Sequence, residues 1–165
     1  MNIILFGPPG AGKGTQADHL VKHFNLHKIS TGDLLRNEIN NKTKLGNKIK
    51  IIIDKGLLAP DDIINNLITN ILSNKKFYNR LIFDGYPRNI DQAINLDHLV
   101  KKYNQKISCV LSLNVEKEII IKRILGRQTC SKCGLIFNEY FYPSTDKNHS
   151  CGIKFLVKRS DDNDK

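Results

Sequence analysis

The sequence predicts an α/β fold with a parallel β-sheet and flanking helices. Short apolar runs of strand length alternate with longer segments of helical periodicity, and a glycine-rich loop joins the first run to the first helix. Strands that alternate with helices form a parallel sheet through right-handed crossovers. Ligands of such sheets bind beyond the carboxyl ends of the strands, which is where we expect the functional site.

Glycine, proline and capping residues mark the ends of these elements. Ser30 and Thr31 are both suited to cap the helix after the second strand, and Gly126 suits the end of the last helix. Cys109, in the fourth strand, is expected to be a buried thiol. In chain order the predicted elements are strand 2–6, helix 13–24, strand 27–30, helices 31–40, 43–55 and 61–72, strand 80–84, helix 90–103, strand 107–113 and helix 115–126.

Residues 128–158 differ in character from the segments before them. They contain three cysteines, a proline and a group of aromatic residues, separated by turn-forming residues. This composition favours a small β-rich insertion over a further strand of the main sheet. The polar tail over residues 161–164 is typical of the first turn of a helix.

The length and composition indicate a single intracellular domain with a small insertion. A chain of 165 residues is long enough for a substantial core. It has no apolar run of the roughly 18 residues that span a bilayer, and Met1 leads straight into the first strand without a signal-peptide pattern. The net charge of +10 comes from lysines scattered along a Lys- and Asn-rich sequence. We therefore expect a cytoplasmic monomer, or one in an organelle lumen, that binds neither nucleic acid nor membranes.

A phosphate-binding loop follows the first strand directly. Residues 7–15 read Gly-Pro-Pro-Gly-Ala-Gly-Lys-Gly-Thr and follow the pattern G-x-x-x-x-G-K-[ST], except that Gly14 separates Lys13 from Thr15. The glycines allow backbone N–H groups to surround a phosphate, and the N-terminus of the next helix adds its dipole. Lys13 is expected to reach the β- and γ-phosphates, and the Thr15 hydroxyl to ligate Mg²⁺.

Asp84 and a set of arginines are further candidates for phosphate chemistry. Asp84 ends a buried apolar strand, where a carboxylate in a phosphate-loop protein holds Mg²⁺ directly or through water. The chain prefers lysine to arginine, so each arginine calls for an explanation. Guanidinium groups together with Mg²⁺ lower the electrostatic barrier to phosphoryl transfer between two polyphosphates. The candidates are Arg36, Arg88, Arg123, Arg127 and Arg159.

Three motifs together resemble those of a known family. They are the phosphate loop through Gln16, Ile29-Ser-Thr-Gly-Asp-Leu-Leu-Arg36, and Phe83-Asp-Gly-Tyr-Pro-Arg88 with Gln92. In order and spacing these segments resemble adenylate kinases, and the resemblance runs from residue 2 to about residue 162. It implies a P-loop NTPase-like three-layer α/β fold. It also implies reversible, Mg²⁺-dependent phosphoryl transfer from ATP to AMP, which gives two ADP.

The resemblance assigns residues to the two nucleotides. It implies that ATP is bound by Gly10, Ala11, Gly12, Lys13, Gly14, Thr15, Arg123, Arg127, Ile136 and Phe137. It implies that AMP is bound by Thr31, Arg36, Leu57, Leu58, Ala59, Gly85, Tyr86, Pro87, Arg88, Gln92 and Arg159. The catalytic set would be Lys13, Asp84, Arg88, Arg123, Arg127 and Arg159. The arginines would align the phosphates in line, and we expect no histidine to act as a general base.

The same resemblance divides the chain into a core and two arms. Residues 1–30 and 61–127 would form the core, residues 31–60 a helical AMP-binding arm, and residues 128–158 a small β-rich lid. The arms would close and exclude water, which would otherwise accept the phosphoryl group. Residues 159–165 would begin a helix that returns to the core, and we expect the chain to be C-terminally truncated relative to the family.

The cysteines of the lid indicate a structural zinc site. Cys130 and Cys133 form a C-x₂-C pair, and Cys151 follows later in the lid. Zinc lids of the family usually have a second pair that ends in Cys or Asp, which this chain lacks. The fourth ligand is therefore open, with His149 as our first choice and Asp146 as the second. The alternative is a lid without metal, held by apolar packing and hydrogen bonds.

Two other functions fit parts of the sequence. One is another nucleoside-monophosphate kinase, with GTP as the donor or a pyrimidine monophosphate as the acceptor, although short-lid relatives lack the cysteine-bearing segment. The other is a truncated nucleotide-binding protein without activity, because the base pocket for ATP would be half-built. A coupled assay with ATP and each monophosphate in turn separates these alternatives.

Overall fold

The computed structural model describes residues 1–53, 59–159 and 162. Leu57 and Leu58, two of the expected AMP contacts, lie outside the described residues. Contacts divide the chain into two compact units, which are described separately below. The first unit comprises Met1–Phe6 and Lys13–Ser112, and the second comprises Gly7–Gly12 and Leu113–Lys165.

The first unit alternates strands and helices, as the sequence predicts. Ser30 is the N-cap of the second helix, because its hydroxyl accepts a hydrogen bond from the backbone N–H of Asp33 at 3.2 Å. The elements are β1 (Asn2–Phe6), α1 (Lys13–Phe24), β2 (His27–Ser30), α2 (Thr31–Asn40), α3 (Lys44–Ile53), α4 (Asp61–Leu72), a 3₁₀ turn (Lys75–Phe77), β3 (Leu81–Asp84), α5 (Ile90–Lys102) and β4 (Ile107–Ser112).

The four strands of this unit form one parallel sheet in the order β2-β3-β1-β4. Asp84, the last residue of β3, pairs in register with Ser30 on one side and Leu5 on the other. The carboxyl ends of three strands therefore meet at one edge, where parallel sheets place their ligands. This sheet with its flanking helices confirms the predicted fold class.

The core of the first unit lies on both faces of β3, because apolar residues of that strand point alternately to each face. Leu81, Ile82 and Phe83 are all fully buried. Leu81 and Phe83 pack with apolar residues of α4 and α5. Ile82 packs with Ala17 of α1 on the other face. This packing fixes the position of Asp84 at the strand end.

Strand β4 lies at one edge of the sheet and corrects one expectation from the sequence. Cys109 was expected to be buried, but its side chain is exposed. The apolar run Ile107–Ser112 is largely exposed within the described chain, since β1 is its one neighbour in the sheet. An apolar run alone does not distinguish an edge strand from a central one.

The second unit contains the phosphate loop and a small antiparallel sheet. Its elements are α6 (Lys117–Leu125), β5 (Arg127–Cys130), β6 (Ile136–Asn138), a 3₁₀ turn (Ile153–Phe155) and β7 (Leu156–Val157). The strand order is β6-β5-β7, with both pairs antiparallel. Among the described residues no helix is long and apolar enough to cross a bilayer.

Candidate functional site

The phosphate loop has the backbone conformation that its glycines predict. Gly10 and Gly12 adopt φ values of +78° and +94°, which residues with a Cβ rarely adopt. A Cβ atom on Gly10 would also lie 2.9 Å from the side chain of Ile124 in α6. Helix α1 begins directly after the loop, at Lys13. The loop therefore leads into a helix N-terminus, the arrangement that binds phosphate.

Asp84 lies beside the first turn of α1. A Cβ atom placed on Gly14 would be 3.7 Å from the Asp84 carboxylate and 3.7 Å from the Lys28 ammonium. Burial raises the pKa of Asp84, and the charges of Lys28 and Lys13 oppose that shift. A half-buried carboxylate whose ionised form is poorly compensated is a good ligand for a divalent cation. Asp84, together with the exposed Thr15 that follows Gly14 in the sequence, therefore fits Mg²⁺.

Lys28 is a cation near this site that sequence reasoning missed. Its Nζ atom donates to the Asp18 carboxylate at 2.9 Å and to the carbonyl oxygen of Gly14 at 3.4 Å. Only the pairing of β2 with β3 brings Lys28 close to Asp84. Alternation along β2 could have indicated which face Lys28 occupies, but not its partner.

Arg88 is held in place by backbone and side-chain oxygens. Its Nε atom donates to the carbonyl oxygen of Gly85 at 2.8 Å, and its Nη2 atom donates to the Thr31 hydroxyl at 3.3 Å. The Thr31 hydroxyl in turn donates to the Gly85 carbonyl at 2.9 Å. Partial burial lowers the pKa of Arg88; Asp84 raises it and the neighbouring Arg36 lowers it further. Two mutually repelling guanidinium groups form a site for an anion.

Arg36 is paired with Asp33 one turn earlier in α2. The Arg36 Nη2 atom lies 2.5 Å from the Asp33 carboxylate. Burial raises the pKa of Asp33, but hydrogen bonds from Arg36 and Ser30 outweigh burial and leave the pKa lowered. Asp33 therefore stays ionised and orients the Arg36 side chain.

A cavity with one polar end and one apolar end lies next to Arg88. Its polar lining comes from Thr31, Gly85, Arg88 and Gln92, and its apolar lining from Leu35, Ala59 and Ile64. Six of these seven residues belong to α2, to α4, or to the segment from Gly85 through α5. The cavity brings together five of the expected AMP contacts. An anionic group at one end and a flat apolar group at the other would match this lining.

Two expected AMP contacts, Tyr86 and Pro87, do not line the cavity. The Tyr86 side chain is 1% exposed and packs in the core of the first unit. Its hydroxyl has one hydrogen to donate and two acceptors within reach, the Asn65 side-chain oxygen at 3.0 Å and the Gln92 carbonyl oxygen at 3.2 Å. In this structure Tyr86 stabilises the start of α5, where Gln92 lies, and is not part of the cavity lining.

In the second unit, Arg123 lies against the phosphate loop. Its Nη1 atom donates to the carbonyl oxygen of Ala11 at 3.2 Å, and its guanidinium lies 6.0 Å from the centre of the Phe141 ring. Asn138 supports this arrangement, because its side-chain amide donates to the Arg123 carbonyl at 2.8 Å. Asn138 is a second residue that sequence reasoning missed.

Arg127 is paired with a buried carboxylate. Its Nε atom donates to the Asp162 carboxylate at 2.8 Å, and its Nη2 atom donates to the other carboxylate oxygen. The Asp162 side chain is 1% exposed. Arg159 lies three residues earlier, and its carbonyl oxygen accepts from the Asp162 backbone N–H at 3.2 Å.

Four lid residues form a candidate metal site. The ligand atoms of Cys130, Cys133, His149 and Cys151 all lie within 4.8 Å of one another. His149 was our first choice for the fourth ligand, and Asp146, the second choice, is not part of this group. Burial raises the pKa of Cys130, but backbone N–H groups lower it to about 6. A thiol that ionises this readily suits a metal ligand.

The histidine is oriented for coordination. The His149 Nδ1 atom is 2.8 Å from the Ser144 hydroxyl. Its Nε2 atom is buried and makes no hydrogen bond within the part of the chain that the structure describes. A buried nitrogen without a hydrogen-bond partner beside three thiols fits a ligand of Zn²⁺. The Ser144 hydroxyl would then orient the ring of His149 through its other nitrogen.

The two expected ATP contacts of the lid differ in exposure. Ile136 is 42% exposed, whereas Phe137 is 2% exposed. The Phe137 ring packs 4.7 Å from the His149 ring and 5.9 Å from the Tyr142 ring. In this structure Phe137 belongs to the packed interior of the lid, next to the metal site.

Comparisons with known proteins give a consistent result. A family model described as adenylate kinase matches residues 5–165. The chain is 53% identical over 163 residues to the adenylate kinase of Pelagibacter ubique, covering 99% of this chain and 76% of that protein. It is 43% identical over 164 residues to the adenylate kinase of Caldicellulosiruptor bescii, covering 98% of this chain and 76% of that protein. The adenylate kinase of Acholeplasma laidlawii is 48% identical over 141 residues, covering 86% of this chain and 65% of that protein.

Proposed function

This chain belongs to the adenylate kinase family, and we propose that it transfers a phosphoryl group specifically from ATP to AMP. A nucleoside-monophosphate kinase of this family is a phosphotransferase that uses Mg²⁺. The proposal concerns the two nucleotides and the residues that bind them. We further propose that the protein is a cytoplasmic monomer that binds no nucleic acid; the scattered distribution of its lysines supports the last point.

The closeness of two positive charges is the observation that supports the proposal most strongly: Arg88 lines the cavity, and the charge of Arg36 lowers the pKa of Arg88. Arg36 is tied to the Asp33 carboxylate, and Arg88 donates to neutral oxygens, so an incoming phosphate dianion gains two strong partners. The apolar lining from Leu35, Ala59 and Ile64 suits the base of a nucleotide. A monophosphate nucleotide combines both groups in one molecule.

The reaction requires positioning and charge stabilisation more than covalent chemistry. Lys13 and the loop amides would bind the transferring phosphate, and Arg88 would align the phosphate of AMP for in-line attack. Arg123 and Arg127 are assigned to the phosphates of ATP, and Arg159 is assigned to AMP. Asp84 and Thr15 would hold Mg²⁺, which when bound neutralises charge on the phosphates of ATP.

The acceptor needs no strong general base. The phosphate of AMP is already an anionic nucleophile at neutral pH, so no histidine is required to remove a proton. Guanidinium groups stabilise the charge that develops in the transition state. The zinc site of the lid would be structural, since a small lid buries little apolar surface on its own.

A coupled assay with a panel of nucleotides tests the proposal. ATP and GTP serve as donors, and AMP, CMP, UMP and GMP serve as acceptors, each with Mg²⁺. The proposal predicts the highest kcat/KM for ATP with AMP. A higher kcat/KM for GTP as donor, or for a pyrimidine monophosphate as acceptor, would replace it with one of the alternative kinases. Nucleotide binding without turnover of any pair would contradict it.

A further inference from the structure

The side-chain amide of Gln92 is held from two sides. Its Oε1 atom accepts from the backbone N–H of Arg88 at 2.8 Å. Its Nε2 atom donates to the Asp61 carboxylate at 2.6 Å. The other carboxylate oxygen of Asp61 accepts from the Asn89 side chain at 3.0 Å. Gln92 is 4% exposed and lines the cavity described above.

The chemistry of these two partners fixes which way the amide points. A backbone N–H can only donate a hydrogen bond, and an ionised carboxylate can only accept one. The Gln92 oxygen must therefore face Arg88, and its nitrogen must face Asp61. The reverse orientation would place two donors together on one side and two acceptors together on the other.

Asp61 remains able to act as an acceptor near neutral pH. Hydrogen bonds from Gln92 and Asn89 lower the pKa of Asp61. Asp61 is also the first residue of α4, where the helix dipole favours a negative charge. Both effects keep the carboxylate ionised.

The amide of Gln92 retains one lone pair on oxygen and one hydrogen on nitrogen for a ligand. We propose that Asp61 determines base specificity by fixing the orientation in which Gln92 presents this acceptor and donor to the cavity. The matching ligand carries an exocyclic amino donor next to a ring-nitrogen acceptor, as adenine does. This proposal rests on the proposed function, because it concerns the base of the monophosphate substrate.

Bases with the opposite pattern are disfavoured by the fixed amide. Hypoxanthine and guanine carry a keto oxygen and a protonated ring nitrogen at the same two positions. The keto oxygen of each base would face the Gln92 oxygen, so that two acceptors oppose each other, and its protonated ring nitrogen would face the Gln92 nitrogen, so that two donors do. Only rotation of the amide away from Arg88 and Asp61 would avoid this. A hydrogen-bonding site rejects such mismatched analogues because buried polar groups are left unpaired.

AMP and IMP form a matched pair of probes, since they differ only at these two positions of the purine. The experiment measures kcat/KM for both in the wild type and in three variants. Asp61→Ala removes the acceptor, Asp61→Asn removes the charge and keeps an oxygen acceptor, and Asp62→Ala removes a neighbouring charge. Asp62 is exposed and occupies the same first turn of α4, so it controls for helix and charge effects.

We expect the ratio of kcat/KM for AMP to that for IMP to fall roughly tenfold in Asp61→Ala, the effect of losing one charge-assisted hydrogen bond. Asp61→Asn should restore most of the ratio, and Asp62→Ala should match the wild type. If Asp61→Ala does not fold, Asp61→Leu takes its place, with the same expected loss, because leucine also lacks an acceptor and is close to aspartate in size. An unchanged ratio in the alanine or leucine variant, even with lower activity toward both nucleotides, would overturn the inference alone. A wild type inactive with AMP would overturn the proposed function and the inference with it.

Discussion

The ionised carboxylate of Asp84 suits Mg²⁺ binding but lowers the stability of the folded protein. It is held at the end of β3 by the buried residues before it, beside Gly14 and near two lysines. Burial raises its pKa, which means that folding disfavours the ionised form. Functional sites commonly keep groups that the folded state does not favour.

Asp84→Asn tests this conflict. Because the folded-state pKa lies above the ordinary value of 3.8, the wild type loses stability as pH rises from 3.8 through the folded-state pKa. The variant does not share this loss. We therefore expect Asp84→Asn to be more stable than the wild type near pH 7 and equal to it below pH 3.8. Its kcat should fall by a factor of about 10² or more. Chemical denaturation across this pH range checks the stability, and a stability difference of opposite sign at pH 7 would contradict the account.

Arg88 illustrates why a lysine would not replace an arginine. Its guanidinium donates to Gly85 and Thr31 at once, through two different nitrogen atoms. We expect Arg88→Lys to lower kcat/KM for AMP by about 10² while changing the KM for ATP only slightly. Steady-state kinetics with each nucleotide varied in turn provides the measurement.

Arg80→Lys is the matched control for this variant. Arg80 also uses two nitrogen atoms, both bonded to the carbonyl oxygen of Asn25, away from the cavity. The Arg80→Lys variant should have the kcat and KM values of the wild type. Equal losses in both variants would show that Arg88 acts only on stability.

Helices α2 and α3 pack so closely that one glycine is required between them. A Cβ atom on Gly46 would lie 2.0 Å from the carbonyl oxygen of Glu38. In a free helix, replacing glycine with alanine stabilises by about 1 kcal/mol. At Gly46 the close contact with the Glu38 backbone makes the same substitution destabilising.

Gly46→Ala should therefore destabilise the protein, by about 2 kcal/mol or more. Since Thr31 and Leu35 of α2 line the cavity, the KM for AMP should rise as well. Thermal unfolding and AMP titration measure these effects. A variant as stable as the wild type would show that the two helices separate easily.

The lid shows how a short, polar segment is held in shape. Its antiparallel strands contain nine residues between them, of which Cys130 and Phe137 are buried. Four ligand atoms within 4.8 Å supply the additional constraint when a metal is bound. We propose zinc as that metal.

Cys133→Ser tests the zinc site, with Cys109→Ser as the control. Cys109 is an exposed thiol on β4 and is not part of the lid cluster. Metal analysis should find one zinc per chain in the wild type and in Cys109→Ser, and much less in Cys133→Ser. Thermal unfolding of Cys133→Ser should begin at a lower temperature. Zinc-free wild type with full thermal stability would favour a lid held by packing alone.

At the scale of the whole molecule, the sequence predicted features set by neighbouring residues better than features set by long-range contacts. The glycine-rich loop and the strand that ends at Asp84 were evident from spacing, because their signals lie within a few residues. The approach of Lys28 to Asp84 and of Asp61 to Gln92 depends on which strands and helices become neighbours. The exposure of Cys109 likewise depends on the position of β4 at the sheet edge.

The fourth ligand of the proposed zinc site was predicted from the sequence only in part. The C-x₂-C pair predicted the site, but His149 does not stand at the spacing of a second pair. The fold of the lid brings its ring to the thiols and orients it through Ser144. Sequence spacing alone did not distinguish it from Asp146.

The most direct test of the account follows phosphorus atoms by ³¹P NMR in a mixture of ATP, AMP and Mg²⁺ with this chain. The account predicts that ATP and AMP disappear together, that two ADP form for each pair consumed, and that inorganic phosphate stays at background. Release of inorganic phosphate without loss of AMP, or no ADP at all, would contradict transfer between the two nucleotides.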